Sequence, residues 1–130
     1  MTKVTISDLV KIKRKDEKFA CLTAYDATFS HLISQCGIEV ILVGDSLGNV
    51  IQGQKTTLQV TAKNMAYHTS CVTKIEPQSL VITDLPFMSY PTSSEAIKTA
   101  AAMMRKGAEM VKVEGGHWLS SIIFDLVERG

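Results

Sequence analysis

The chain has 130 residues, enough for one modest core, and its 45% apolar and 21% charged content is that of an ordinary globular protein. A formal net charge of +1 excludes the basic footprint of a nucleic-acid binder. Cys21, Cys36 and Cys71 form no C-x-x-C pair, and no run reaches membrane-spanning length or resembles a signal peptide, so reduced thiols, a cytoplasmic location and no membrane partner are expected.

Thr5, with Asp8 three residues on, predicts the start of a short helix with Ile6, Leu9 and Val10 as its apolar stripe, followed by a mixed-sign segment to Lys18. From residue 19 a strand–helix rhythm sets in. Phe19–Thr23 reads as a strand, and Asp26 caps a helix with Phe29, Leu32, Ile33 and Cys36 inward and Gly37 at its end. A second strand runs from Val40 into Asp45. A glycine-punctuated loop, Gly48 to Gly53, leads to a helix capped near Thr61 with Ala62, Met65, Ala66 and Val72 inward. The third strand, Leu80–Thr83, runs into Asp84. The box Thr92-Ser93-Ser94-Glu95 then opens a helix with Ile97, Ala100, Ala101 and Met104 on one face and Gly107 past its end. The fourth strand, Met110–Val113, runs into Glu114, and a last helix turns Leu119, Ile122, Ile123 and Leu126 inward, with Trp118 expected in the core.

Alternating strands and helices imply a parallel sheet with helical crossovers. Units of roughly 30 residues match those of an eight-unit barrel of about 250 residues. Residues 19–130 are therefore expected to be four β-α units, half of one barrel domain, with residues 1–18 as a leading helix and charged segment. The fourth helix should be ending at Gly130, so catalytic groups on later strands would lie beyond it.

Three apolar strands ending on an acid are the main functional signal. In a parallel α/β fold the C-terminal strand ends open on one face, so Asp45, Asp84 and Glu114 collect there. Met110, Lys112 and Glu114 alternate onto one face of their strand. A Lys112–Glu114 ion pair would satisfy that strand alone. One lysine does not balance three desolvated acids, and an all-oxygen donor set suits a hard divalent cation holding an anionic substrate. In this reading the Ser46 hydroxyl and nearby backbone N–H groups hold a substrate carboxylate. His31 and His68 read as helix-surface or packing residues, and His117 lies near the site face. The alternative is a hydrolase: Gly44-Asp45-Ser46-Leu47 resembles the nucleophile block of the GDSL esterases and lipases, with Ser46 attacking an ester, but the Asp-x-x-His pattern that supplies their base does not occur.

Five blocks in order resemble the ketopantoate hydroxymethyltransferase family. They are Leu22-Thr23-Ala24-Tyr25-Asp26, Leu42 to Gly48, Ala66-Tyr67-His68-Thr69, Asp84-Leu85-Pro86-Phe87-Met88 and Met110 to Gly116. The resemblance implies a (β/α)8 TIM barrel of the phosphoenolpyruvate/pyruvate type, assembled as a homo-oligomer, usually a decamer. It implies Mg²⁺ at Asp45 and Asp84, with Glu114 completing the sphere directly or through water. Asp45, Ser46, Asp84 and Lys112 match substrate-contacting positions for 3-methyl-2-oxobutanoate. The co-substrate would be 5,10-methylenetetrahydrofolate and the product 2-dehydropantoate, on the route to pantothenate. The family's glutamate base falls on a later strand, beyond Gly130, so no catalytic base is expected among residues 1–130. A separate chain could carry that half, and a non-catalytic remnant binding metal or keto acid is a third reading.

Overall fold

The computed structural model describes residues 2–130. Its elements in chain order are α1 (Ile6–Arg14), β1 (Cys21–Thr23), α2 (Ala27–Gln35), β2 (Val40–Val43), α3 (Leu47–Val50), α4 (Ala62–Thr73), β3 (Leu80–Asp84), α5 (Ser93–Met104), β4 (Met110–Lys112) and α6 (Ser120–Val127). Short 3₁₀ turns precede α4 at Thr57–Gln59 and α6 at His117–Leu119. The four strands are parallel and lie in the order β1-β2-β3-β4. Sequential order without a reversal is barrel topology; a doubly wound sheet would switch direction.

Strand alternation divides the sheet into two unlike faces. Ile41, Val43, Val81, Thr83 and Val111 share one face, and it joins the core of Met65 and Val72 from α4, Ala96, Ala100 and Met103 from α5, and Ile122 from α6. The opposite face carries Leu42, Ile82 and Met110 in register, all half-buried, with no helix from these four units across it. That is the inward face of a partial barrel. β2 and β3 are almost wholly buried, whereas every residue of β1 is exposed and every residue of β4 half-buried, as befits edge strands.

The expected elements are present with local corrections. β1 begins at Cys21, two residues after Phe19, because regular pairing with β2 opens at Cys21↔Val40. The segment after Gly48 is the last part of a helical turn, α3, which buries Leu47 and Gly48. In α2 Ile33 packs against the core as expected, but the buried residues are Ser30 and Ser34, while Phe29, Leu32 and Cys36 face out. The serines are tolerated because Ser30 Oγ donates to Val72 O and Ser34 Oγ accepts from Gln78 N. The buried face of α5 is Ala96, Ala100 and Met103, rotated by about one residue from the expected stripe. α1 buries none of its residues, Ile123 of α6 is exposed, and Trp118 lies outside the core, stacked on Tyr90. α6 closes at Val127, three residues before Gly130, which has φ of +87° and donates its N–H to Val127 O. Among the described residues no helix is long and apolar enough to cross a membrane.

Candidate active site

Register builds the site. Asp84 closes β3 and sits directly opposite Lys112 at the end of β4, while Asp45 follows β2 on the neighbouring strand. The Lys112 ammonium lies 2.9 Å from Asp84 Oδ1 and 2.5 Å from Glu114 Oε1. Asp84 Oδ2 accepts the Asp45 backbone N–H at 3.1 Å. The two ends of this ion bridge differ greatly, since the Asp84 side chain is 7% exposed and that of Glu114 75%.

Burial pushes the Asp84 carboxyl above its usual range, and the neighbouring Asp45 charge adds to this, against the Lys112 ammonium and the Asp45 N–H. Lys112 is also partly buried, which opposes its charge, but its bonds to Glu114 and Asp84 outweigh burial and raise it. The lysine is therefore a charged, paired group and a poor Schiff-base nucleophile.

The expected ion pair and the expected acid cluster are both visible in part. Asp45, Asp84, Lys112 and Glu114 all line one cavity of about 220 Å³. Glu114 is tied to the lysine, and among the described residues no three His, Cys, Asp or Glu side chains converge on a single point. The best-placed cation ligand is Asp84, whose buried Oδ1 faces the ammonium but accepts no aligned hydrogen bond. Spare lone pairs on a desolvated carboxylate, beside further oxygen donors, fit a hard divalent cation. Gly130 stands apart from this chemistry: it lines the apolar groove beside β4 and not the cavity of the acids.

Other residues of the site were not read from the sequence. Tyr90 donates its hydroxyl to Glu114 O at 2.9 Å and accepts the Glu114 N–H at 3.2 Å, clamping the chain just past β4. Its ring stacks on Trp118, with centroids 6.3 Å apart and planes 5° from parallel. Leu58, Leu85 and Phe87 supply an apolar wall to the same cavity. Leu85 and Phe87 lie in the block that follows Asp84, whereas no local pattern marks Leu58 and Tyr90, which meet the site only through folding.

Ser46 bonds the Tyr25 hydroxyl at 2.7 Å, and no histidine reaches it. His68 Nδ1 instead bonds Tyr25 O at 2.7 Å, and His117 lies against Ser120. His31 is exposed on α2. The esterase alternative thus finds no base on its serine.

Solved structures with the same architecture include 2,3-dimethylmalate lyase, a PEP mutase/isocitrate lyase superfamily member, at TM-score 0.70 and 17% identity over 94% of this chain and 46% of that one. Oxaloacetate acetylhydrolase in complex with 3,3-difluorooxalacetate aligns at TM-score 0.69 and 15% identity, over 90% and 46%. The fold is that of a β/α barrel, represented by four β-α units, with the acids and the lysine at the C-terminal strand ends. The model of ketopantoate hydroxymethyltransferase matches residues 3–130, and the chain belongs to that family. It is 53% identical over 130 residues to the 3-methyl-2-oxobutanoate hydroxymethyltransferase of Shewanella sediminis, and 54% identical over 126 residues to that of Cupriavidus necator. These alignments cover 100% and 97% of this chain but 49% and 46% of the relatives, so the chain spans about half their length.

Proposed function

We propose that these four units form the metal- and keto-acid-binding half of a hydroxymethyltransferase barrel. The barrel would transfer a one-carbon unit from 5,10-methylenetetrahydrofolate to 3-methyl-2-oxobutanoate, giving 2-dehydropantoate. The observation that carries this reading is the buried Asp84 carboxylate, with an oxygen that accepts no aligned hydrogen bond and Lys112 beside it, at the barrel mouth of a chain from this family.

Asp45 and Asp84 would hold Mg²⁺, with Glu114 joining directly or through water. When bound, Mg²⁺ supplies Lewis-acid stabilisation of the negative charge that builds on the keto oxygen as the adjacent proton leaves. Lys112 offsets charge on the substrate carboxylate, which the Ser46 hydroxyl orients. Leu58, Leu85 and Phe87 offer apolar surface to the branched alkyl group. Tyr90 keeps Glu114 and the end of β4 fixed while charge develops nearby. The proton acceptor and the folate-facing wall are assigned to the later strands of the barrel, beyond Gly130.

The test is calorimetry of Mg²⁺ and 3-methyl-2-oxobutanoate binding. The keto acid should bind only with Mg²⁺ present, and Asp84→Asn should weaken Mg²⁺ at least about 10-fold, the loss of one charged ligand. Unchanged Mg²⁺ affinity in Asp84→Asn would overturn the assignment.

A further inference from the structure

We infer that Tyr25 is a positioning residue that acts through Ser46, fixing the direction in which the serine hydroxyl faces the substrate carboxylate. This deepens the proposed function and rests on its reading of Ser46 as a substrate contact. Tyr25 lies just after β1, Ser46 just after β2, and their oxygens are 2.7 Å apart. Ser46 has one proton and one freely rotating bond. Either oxygen can donate in this pair; with the tyrosine as donor, one Oγ lone pair is occupied and the serine proton is left to donate elsewhere. Ser46 itself does not line the cavity of the acids but follows Asp45, which does, so a substrate carboxylate reaching from that cavity toward Ser46 is the acceptor that such a proton suits.

Tyr25 is itself held from two sides. Its ring packs against the core cluster and meets the His68 ring edge-on, with centroids 6.5 Å apart at 89°. His68 Nδ1 lies 2.7 Å from Tyr25 O, and a carbonyl only accepts, so the Nδ1 proton must be present. α4 thus anchors the backbone that carries the phenol. Gly44 provides the space on the other side. A Cβ there would fall 2.9 Å from Ser46 Oγ and 3.5 Å from Asp84 Oδ2, so the bare glycine lets the hydroxyl pack beside the buried carboxylate. Three elements therefore set one rotor, and the cost of orienting it is met on folding and not on substrate binding.

Tyr25→Phe keeps the ring and removes only the hydroxyl, so it separates positioning from packing. The first measurement needs no ligand: Ser46 χ1, read by NMR three-bond couplings, should be a single rotamer in the native chain and averaged in Tyr25→Phe. The second is 3-methyl-2-oxobutanoate affinity in the presence of Mg²⁺. Tyr25→Phe should weaken it about 3- to 10-fold, the size of one hydrogen bond. Ser46→Ala should weaken it comparably, and the double variant no further than Ser46→Ala alone, because both act through one group. A single Ser46 rotamer retained in Tyr25→Phe, or losses that add in the double variant, would overturn the inference with the proposed function intact. If the native chain binds no keto acid with Mg²⁺, the proposed function fails, and the substrate part of this inference falls with it while the rotamer result still decides whether Tyr25 holds Ser46.

Discussion

Two buried threonines show how much a single proton's direction matters. Thr69 Oγ1 donates to Met65 O at 2.7 Å, one turn back in α4, and lies 2.9 Å from Thr83 Oγ1 on β3. Since the Thr69 proton is committed to Met65, Thr83 must be the donor between them. Both residues are fully buried, so the two substitutions are unequal. Thr83→Val leaves no orphaned donor and should cost about 1 kcal/mol or less. Thr69→Val strands the Thr83 hydroxyl and should cost about 1–3 kcal/mol, the penalty for an unsatisfied buried group. Urea unfolding of both variants measures the difference, and equal losses would show that Thr83 finds another acceptor. The carboxylates behave by the same rule, since Asp84 is buried with a lysine and a backbone N–H facing it, whereas Glu114 meets the same lysine in open water.

At the scale of elements, ends are specified more sharply than faces. α1 begins in a closed capping box: Thr5 accepts the Asp8 N–H, and Asp8 accepts both the Thr5 N–H and the Thr5 hydroxyl. These bonds with Thr5, together with Lys11, hold the Asp8 carboxyl at about 2, below the ordinary 3.8. A depressed carboxyl contributes stability that is present above the unfolded value and lost as pH falls through the folded one. The cap should therefore be intact at pH 5 and lost progressively between about pH 4 and pH 2. Carboxyl-carbon NMR should place the Asp8 midpoint near 2, and Thr5→Ala should move it toward 3.8; a midpoint already at 3.8 would exclude the box in solution.

The C-terminus of α5 is equally defined. Gly107 has φ of +96°, and an added Cβ would lie 2.8 Å from Thr73 Cβ, so Gly107→Ala combines backbone strain with a clash. A loss of about 1–3 kcal/mol is expected, read as a lower unfolding midpoint in urea; a stability change within about 0.5 kcal/mol would show that the loop relaxes freely.

These caps were legible because each is a local bond between residues three apart or a single glycine. The buried faces were less so. In α2 the apolar stripe of Phe29 and Leu32 points outward, because backbone groups of Val72 and Gln78 meet Ser30 and Ser34 on the inward side. In α5 the run of alanines fits two stripes a residue apart, and the depth of Met103 against the sheet chooses between them.

At the scale of the molecule, the sequence displays the barrel and half of the site for one reason. Apolar β-branched runs ending on an acid specify both the strands and the position of the carboxylates at their C-terminal ends. The tyrosine clamps were not legible, because Tyr25 meets Ser46 across 21 residues and Tyr90 meets Glu114 across 24. Only the register of the folded sheet brings them together.

The two edges of that sheet carry the last expectation. β1 has every residue exposed, with Leu22 among them, and β4 borders an apolar groove of about 420 Å³ lined by Met104, Met110, Val113, Ile123, Val127 and Gly130. Unpaired edge strands template association, and each Å² of apolar surface left wet forgoes roughly 25 cal/mol. The inward face, with Leu42, Ile82 and Met110 half-buried, lacks cover from these four units as well. Residues 1–130 by themselves should therefore self-associate with rising concentration in sedimentation experiments. Adding a chain that carries the later four β-α units of a family barrel should convert them to a defined complex, raise the unfolding midpoint and produce folate-dependent formation of 2-dehydropantoate. All three should appear together, because the same strands that cover the edges are assigned the proton acceptor. A monomer of residues 1–130 that unfolds cooperatively and forms 2-dehydropantoate unaided would overturn the half-barrel assignment.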